Sequence, residues 1–397
     1  MRTVQRRDIN NLSNDETHVC VSTAFRNFLP NHPTPMRLSL CPTATYTAPK
    51  LRLLSSLLLL LLLGVSYYAT AQTTSFSPAT TTPKLKKPGK MLGADISFLP
   101  QLEARGITFT DKGQPKDAIQ ILKDHGFNYI RLRLFHNPAA DSGYSPGKGF
   151  CDLAHTQQMA KRIKAAGLKF LLDFHYSDTW ADPQKQFKPA AWQDLHGAQL
   201  EQAVHDYTRD VLLALQAQGT TPDMVQVGNE INHGLLWPDG DIHSADSVAR
   251  LDNLAGLLRA GVAAVRETAP KALVMMHIAL GGQNEQSVYW LDNMIRRGVQ
   301  FDVIGQSYYP QWHRTIPDLR SNLTDLARRY PQDIVVVEYS ARKREVNEVA
   351  FSLPRKKGLG TFIWEPLNTW EQIFDKEGKA NELLPIYDEV SKKYKVK

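Results

Sequence analysis

The sequence predicts a single (β/α)8 barrel, and three observations predict it. Short β-branched runs alternate with longer amphipathic stretches from Gly93 onward, the alternation completes eight cycles, and polar residues gather where the runs end. The strands read in order as 93–96, 129–134, 169–175, 224–230, 273–278, 303–307, 334–338 and 360–364. Each is the near-continuous apolar run of a parallel strand buried on both faces. Between them, 156–166 sets Met159, Ile163 and Ala166 on one face, and 251–268 repeats Leu254, Leu257, Leu258, Val262 and Val265 at steps of three and four. His125-Gly126-Phe127 and Ala166-Gly167-Leu168 put glycine where a helix ends in the left-handed conformation.

The segment ahead of the barrel is of another kind. Residues 1–71 hold few acids and a leucine run, 57–63, inside the apolar stretch 53–65, with Lys50 and Arg52 before it and Ala69-Thr70-Ala71 after it. A basic region, a short hydrophobic region and an A-x-A site in that order predict a cleavable export signal cut near Ala71. The stretch is shorter than the roughly 20 residues a membrane-spanning helix needs. It lies deep for a signal, and a start at Met36 gives an ordinary length. Residues 72–90, rich in Thr, Pro and Lys, read as a linker to a catalytic domain at 91–397. The expected product is a soluble monomer in the periplasm or outside the cell.

Charge and cysteines follow the same division. The formal net charge is +7, but 1–71 carries seven Lys and Arg against three acids and 72–90 carries four lysines, which leaves the barrel at −1. The basic balance therefore implies no nucleic-acid partner. Cys20 and Cys41 fall in the segment expected to be removed, and Cys151 alone cannot build a disulfide framework or a thiolate metal site.

In a (β/α)8 barrel the active site forms at the carboxyl ends of the strands. Those ends read Asp95, Arg131 and Arg133, Asp173 and His175, Asn229-Glu230, His277, Ser307-Tyr308-Tyr309, Glu338 and Trp364-Glu365. A glutamate just past a strand is often a solvated loop residue or an ion-pair partner. Here Glu230 and Glu338 close the fourth and seventh strands, and two carboxylates converging on one bond are what glycoside hydrolysis requires. His175, Asp178, His155 and His277 invite a zinc reading, but no standard ligand spacing joins them. No metal and no cofactor is predicted.

The residues that carry a family resemblance are Gly93-Ala94-Asp95-Ile96-Ser97, Asn128-Tyr129-Ile130-Arg131-Leu132-Arg133, the block from Asp173-Phe174-His175 to Trp180-Ala181-Asp182-Pro183, Gly228-Asn229-Glu230-Ile231, Gly234-Leu235-Leu236-Trp237-Pro238, Ser307-Tyr308-Tyr309-Pro310 and Trp364-Glu365-Pro366. With them the chain resembles the endo-β-1,4-galactanases of glycoside hydrolase family 53, within a clan of retaining barrels. The resemblance implies Glu230 as acid/base and Glu338 as nucleophile, with galactan as substrate. Arg131, two positions from Arg133 and so on the same face, is expected to keep Glu338 ionised; Tyr309 shares parity with Ser307 and is expected to donate to Glu338, with Tyr308 packing sideways; Asn229 is expected on the sugar 2-hydroxyl. Asp95, His175, Asp178 and His277 are expected on sugar hydroxyls. Trp364 is expected beneath the sugar at the cleavage point, with Trp180 and Trp237 at outer subsites. For each tryptophan, plain packing is the alternative.

Two places depart from the family pattern. After the fifth strand Ala279-Leu280-Gly281-Gly282-Gln283-Asn284 replaces an Asp-Asn-Gly-like turn, and the loop after the eighth strand, which binds calcium in some relatives, is compressed. No calcium site is predicted, and altered outer subsites are. Two other functions stay open: a retaining glycosidase of the same clan acting on another β-glycan, and a galactan-binding barrel without catalysis.

Overall fold

Eight parallel strands close into a barrel in the computed structural model, which describes residues 87–243, 247–367 and 372–397. The predicted signal, cleavage site and most of the linker, with Asn368 to Trp370, lie outside the described residues. The strands are β1 (Met91–Asp95), β2 (Tyr129–Leu134), β3 (Lys169–Phe174), β4 (Met224–Val227), β5 (Leu273–Ile278), β6 (Val303–Tyr308), β7 (Asp333–Tyr339) and β8 (Gly358–Trp364). Each pairs with its sequence neighbours, and β8 closes on β1 with Met91 opposite Gly360 and Asp95 opposite Trp364. The helices that return the chain are α1 (Ala118–Asp124), α2 (Leu153–Ala165), α3 (Gly197–Ala217), α4 (Val248–Thr268), α5 (Asn284–Arg296), α6 (Ile316–Arg329), α7 (Lys343–Phe351) and α8 (Pro385–Tyr394).

Element boundaries follow local chemistry. Helix α2 begins three residues before the apolar period starts because Asp152 accepts from the His155 amide, and Ser247 likewise moves the start of α4 to Val248. Gly126 and Gly167 have φ of +88° and +74°, the left-handed exits expected after α1 and α2. Strand β4 stops at Val227 rather than at residue 230, because Gly228 turns to φ +84° and Glu230 to φ +48°.

Alternation along the strands builds two layers. Leu92, Ile130, Leu172, Val225, Met276, Ile304 and Val336 face the helices in the large outer core. Met91, Tyr129, Leu171, Met224, Met275, Val303, Val335 and Phe362 pack together as an apolar plug inside the barrel. Farther up the same inward positions come Asp95, Arg131, Asp173, Gln226, His277 and Ser307, all buried. The barrel interior is thus apolar below and polar at the end where the strands finish.

Two irregularities break strict alternation. Gln306 pairs with Val336 but Ser307 pairs with Glu338, so Val337 is a bulge. Ile334 and Val336 face outward, and simple alternation would send Glu338 with them; the extra residue turns it into the barrel. The second irregularity is Gly360, at φ +144°, where β8 slips against β7 and a Cβ would overlap the Met91 carbonyl. Gly360→Ala is expected to destabilise the fold by about 2 kcal/mol or more through strain and overpacking. The denaturation midpoint measures this, and an unchanged midpoint would show that β1 and β8 can move apart freely.

Candidate active site

Arg131, on β2, organises the polar end of the barrel. Its Nη1 donates to Glu338 at 2.7 Å and to Asp95 at 2.9 Å, and its Nη2 to Asp173 at 2.7 Å and to Asn229 Oδ1 at 3.0 Å. Nε and Nη2 both reach Gln226 Oε1, at 3.2 and 3.1 Å. Burial works against the guanidinium charge, but Asp173, Glu338 and Asp95 outweigh it and raise the Arg131 pKa. The cation is therefore permanent, and it carries an acidic surplus around it.

Glu338 ends in this cage. One oxygen accepts from Arg131 and the other from the Tyr309 hydroxyl at 3.1 Å. Tyr308, of opposite parity, points to the outer core and donates to the Arg314 carbonyl. Burial pushes the Glu338 pKa up and Arg131 pulls it back, with a net rise.

Glu230 stands half-buried at the same mouth, in a left-handed conformation at φ +48° and ψ +49°. A bulky residue held there is strained, which is a feature of sites that must aim one side chain. Ser307 Oγ donates to Glu230 Oε1 at 2.7 Å, and His277 Nε2 lies 2.8 Å behind Ser307 Oγ. Burial, chiefly, holds His277 well below its ordinary pKa, so the imidazole is neutral. The ring sits between polar groups on both sides, Nε2 facing Ser307 Oγ and Nδ1 facing Asn229 Oδ1 at 2.9 Å and Gln226 Nε2 at 3.1 Å. The Glu230 pKa is pushed up to about 8, first by burial and then by the charge of Glu338, with Ser307 opposing. Both carboxyls are raised by burial, but Arg131 lies against Glu338 and opposes the rise there, whereas the charge of Glu338 adds to it at Glu230, the kind of difference in surroundings that lets one site hold an acid and a base.

The aromatic residues form a wall. Trp364, at the end of β8, meets the Trp180 ring at 6.3 Å and the Tyr309 ring at 6.4 Å, both edge-on. Trp180 is held from behind by Arg133, whose guanidinium carbon lies 4.4 Å from the centroids of both Trp180 and Phe98. Arg133 in turn pairs with buried Glu365. Trp237 sits on the loop after β4, tied by its amide to the Gln186 carbonyl at 2.7 Å and by its indole N–H to the His233 carbonyl at 3.1 Å.

The structure sorts the residues expected on sugar into two groups. Glu230, Glu338, Asn229, Tyr309, Trp180 and Trp364 come together at the mouth. Asp95, His175, Asp178 and His277 are buried and occupied by protein partners. Asp95 accepts from Arg131 and from the Ser97 amide and hydroxyl. His175 Nδ1 accepts from the Ala181 amide while Nε2 faces Asp173 at 3.1 Å. Asp178 accepts from the amides of Asn137 and Ala190 and fixes the loops after β2 and β3. Asn229, Tyr309 and Glu338 are buried and partnered in the same way, so all seven belong to one hydrogen-bonded layer under the mouth. Trp237 is joined to that group through Gln186, which accepts the Trp237 amide at 2.7 Å and donates through Nε2 to the Asn229 carbonyl at 2.8 Å.

Gln226 is the member that sequence reasoning misses. It bridges Arg131, Asp173, His277 and Asn229 from the middle of β4. The signal available was a lone amide inside a β-branched run at an inward position. Asp173, Ser307, Arg133 and Glu365 were visible as strand-end residues, but not their pairings.

Comparison with known proteins agrees with this geometry. The family described as Glycosyl hydrolase family 53 matches residues 91–348. A Cellvibrio japonicus protein named arabinogalactan endo-beta-1,4-galactanase is 39% identical over 254 residues, 62% of this chain and 64% of that one. A Bacillus subtilis protein named endo-beta-1,4-galactanase is 32% identical over 307 residues, 69% of each chain. In structure, the family 53 catalytic domain of Ignisphaera aggregans superposes with a TM-score of 0.70 at 33% identity, covering 78% of this chain and 98% of that one. The barrel, the paired carboxyls at its mouth and the family match over most of the barrel give one conclusion: this chain belongs to glycosyl hydrolase family 53 and is a glycosidase.

Proposed function

We propose that the protein is a secreted, endo-acting β-1,4-galactanase that cleaves the galactan of type I arabinogalactan with retention at the anomeric carbon. The observation that carries the reading is the pair Glu230 and Glu338, delivered to one mouth by β4 and β7, with Arg131 and Tyr309 on Glu338 and Ser307 on Glu230. The names of the similar Cellvibrio and Bacillus proteins support the choice of galactan. The leader at 1–71 supports export.

Each residue then has a role. Protonated Glu230 gives its proton to the departing glycosidic oxygen while the Glu338 carboxylate attacks the anomeric carbon, forming a glycosyl ester. Glu230, now a carboxylate, takes a proton from water, which attacks the same carbon and frees Glu338. Asn229 Nδ2 spends one hydrogen on the Ala181 carbonyl at 2.9 Å and offers the other to the sugar 2-hydroxyl. Trp364 packs beneath the sugar ring, and Trp180 extends that surface. Trp237 serves an outer subsite.

The test is product analysis on linear galactan, mannan and xylan, with the anomer first released read by NMR. Internal cuts in galactan and an initial β-anomer are expected. Cleavage of another glycan would remove the substrate, and an initial α-anomer would remove the mechanism.

Activity against pH should be bell-shaped. Glu230 must begin protonated, so activity is lost as pH rises through about 8. Glu338 must be ionised, so activity is lost as pH falls through a pKa above the ordinary carboxylate range. Ser307→Ala removes a donor that favours the Glu230 carboxylate, and the alkaline limb of kcat/KM should move upward; a downward move would mean Ser307 accepts from Glu230 instead.

A further inference from the structure

Trp312 is 60% exposed, yet the turn that bears it is fixed. It lies in the one-turn helix Pro310–His313 that follows β6. Its carbonyl accepts from Gln283 Nε2 at 2.8 Å, buried His313 accepts the Tyr309 amide through Nδ1 at 3.0 Å, and the Tyr308 hydroxyl donates to the Arg314 carbonyl at 3.2 Å. The unusual loop after β5 closes on the same turn. A Cβ at Gly281 would overlap the Ser307 carbonyl, and one at Gly282 the His313 carbonyl, so only paired glycines let that loop approach so closely. A large indole displayed to solvent on a rigid turn loses little freedom on binding, which is the property of a recognition anchor.

Its position gives the ligand. The Trp312 ring meets the Tyr309 ring edge-on at 5.6 Å, and Tyr309 touches both Glu338 and Trp364. Trp364 and Trp180 extend toward β8, β3 and Phe98 after β1, whereas Trp312 leaves the centre by way of β6. Glu230, which protonates the leaving group, is bonded to Ser307 on that same strand. A sugar chain crossing the mouth therefore passes Trp364 on one side of the cut and Trp312 on the other.

We propose that Trp312 is the stacking platform of a leaving-group subsite, taking the apolar C–H face of a pyranose beyond the scissile bond. The identity of that sugar as β-1,4-linked galactose rests on the galactanase reading. The subsite itself rests on the geometry.

The test compares the full-length wild type with Trp312→Ala and Trp312→Phe on two substrates, a β-1,4-galactotetraose and an aryl β-galactobioside whose phenol leaves without a sugar subsite. For Trp312→Ala the ratio of kcat/KM on the tetraose to that on the aryl glycoside should fall on the order of tenfold. Trp312→Phe should restore most of the ratio. An unchanged ratio, whether both rates fall together or neither falls, would overturn the subsite; the first case would place Trp312 as support for Tyr309 and Glu338. If the wild type ignores galactan and cuts another β-glycan, the substrate reading fails separately, and the same comparison on oligosaccharides and aryl glycosides of that glycan decides on Trp312.

Discussion

Glu338→Gln is expected to lower turnover of galactan by roughly 10³-fold or more while leaving the fold intact, the scale of loss when one reacting group is removed. The amide keeps the shape and the contact with Tyr309 but cannot attack the anomeric carbon, and it presents Arg131 with a neutral partner. Binding should survive, so KM or a measured Kd for galacto-oligosaccharides changes far less than kcat. Glu338→Ala, given azide and an aryl glycoside, should yield the α-glycosyl azide, because azide enters from the face the carboxylate has vacated. A β-azide, or a variant that retains more than a tenth of wild-type turnover, would show that another group is the nucleophile.

Arg131→Met should be costly in a second currency, stability. The substitution preserves much of the volume but leaves Asp95, Asp173 and Glu338 buried around a thioether. Breaking one side of such a buried ionic network costs about 3–5 kcal/mol. Guanidinium denaturation at neutral pH measures it, with a loss under about 1 kcal/mol meaning that water or a proton replaces the cation cheaply. The sign of the pH effect is also fixed. Burial raises the Glu338 pKa and Arg131 opposes that rise, so without Arg131 the acid limb of any residual activity moves to higher pH.

Much of the site was legible because strand geometry is periodic. Arg131 and Arg133 share a face at spacing two, and both do point into the barrel. Tyr309 and Tyr308 part as their parity requires, one to Glu338 and the other to the outer core. The eight strands were found within a few residues of their ends, since each is a short, mostly apolar run set between helical periods.

What could not be read depends on local breaks in that period and on how many partners a polar atom finds. The Val337 bulge decides that Glu338 faces inward, and no residue in Ile334-Val335-Val336-Val337 announces it. His175 and Asp178 also hold the amides of Ala181, Asn137 and Ala190, partners that side-chain type alone does not reveal. Trp312 is as hydrophobic in sequence as buried Trp290; exposure separates the two, and exposure is set by what packs above each ring.

The sequence by itself determined the barrel, the strands that bear the two glutamates and the cation between them, because hydrophobic period and strand order are properties of the chain. Tertiary structure alone decided which polar residues meet at the mouth and which partners each of them holds. Those outcomes depend on desolvation and on distances of about 3 Å between groups far apart in sequence, at which a hydrogen bond or a neighbouring charge acts.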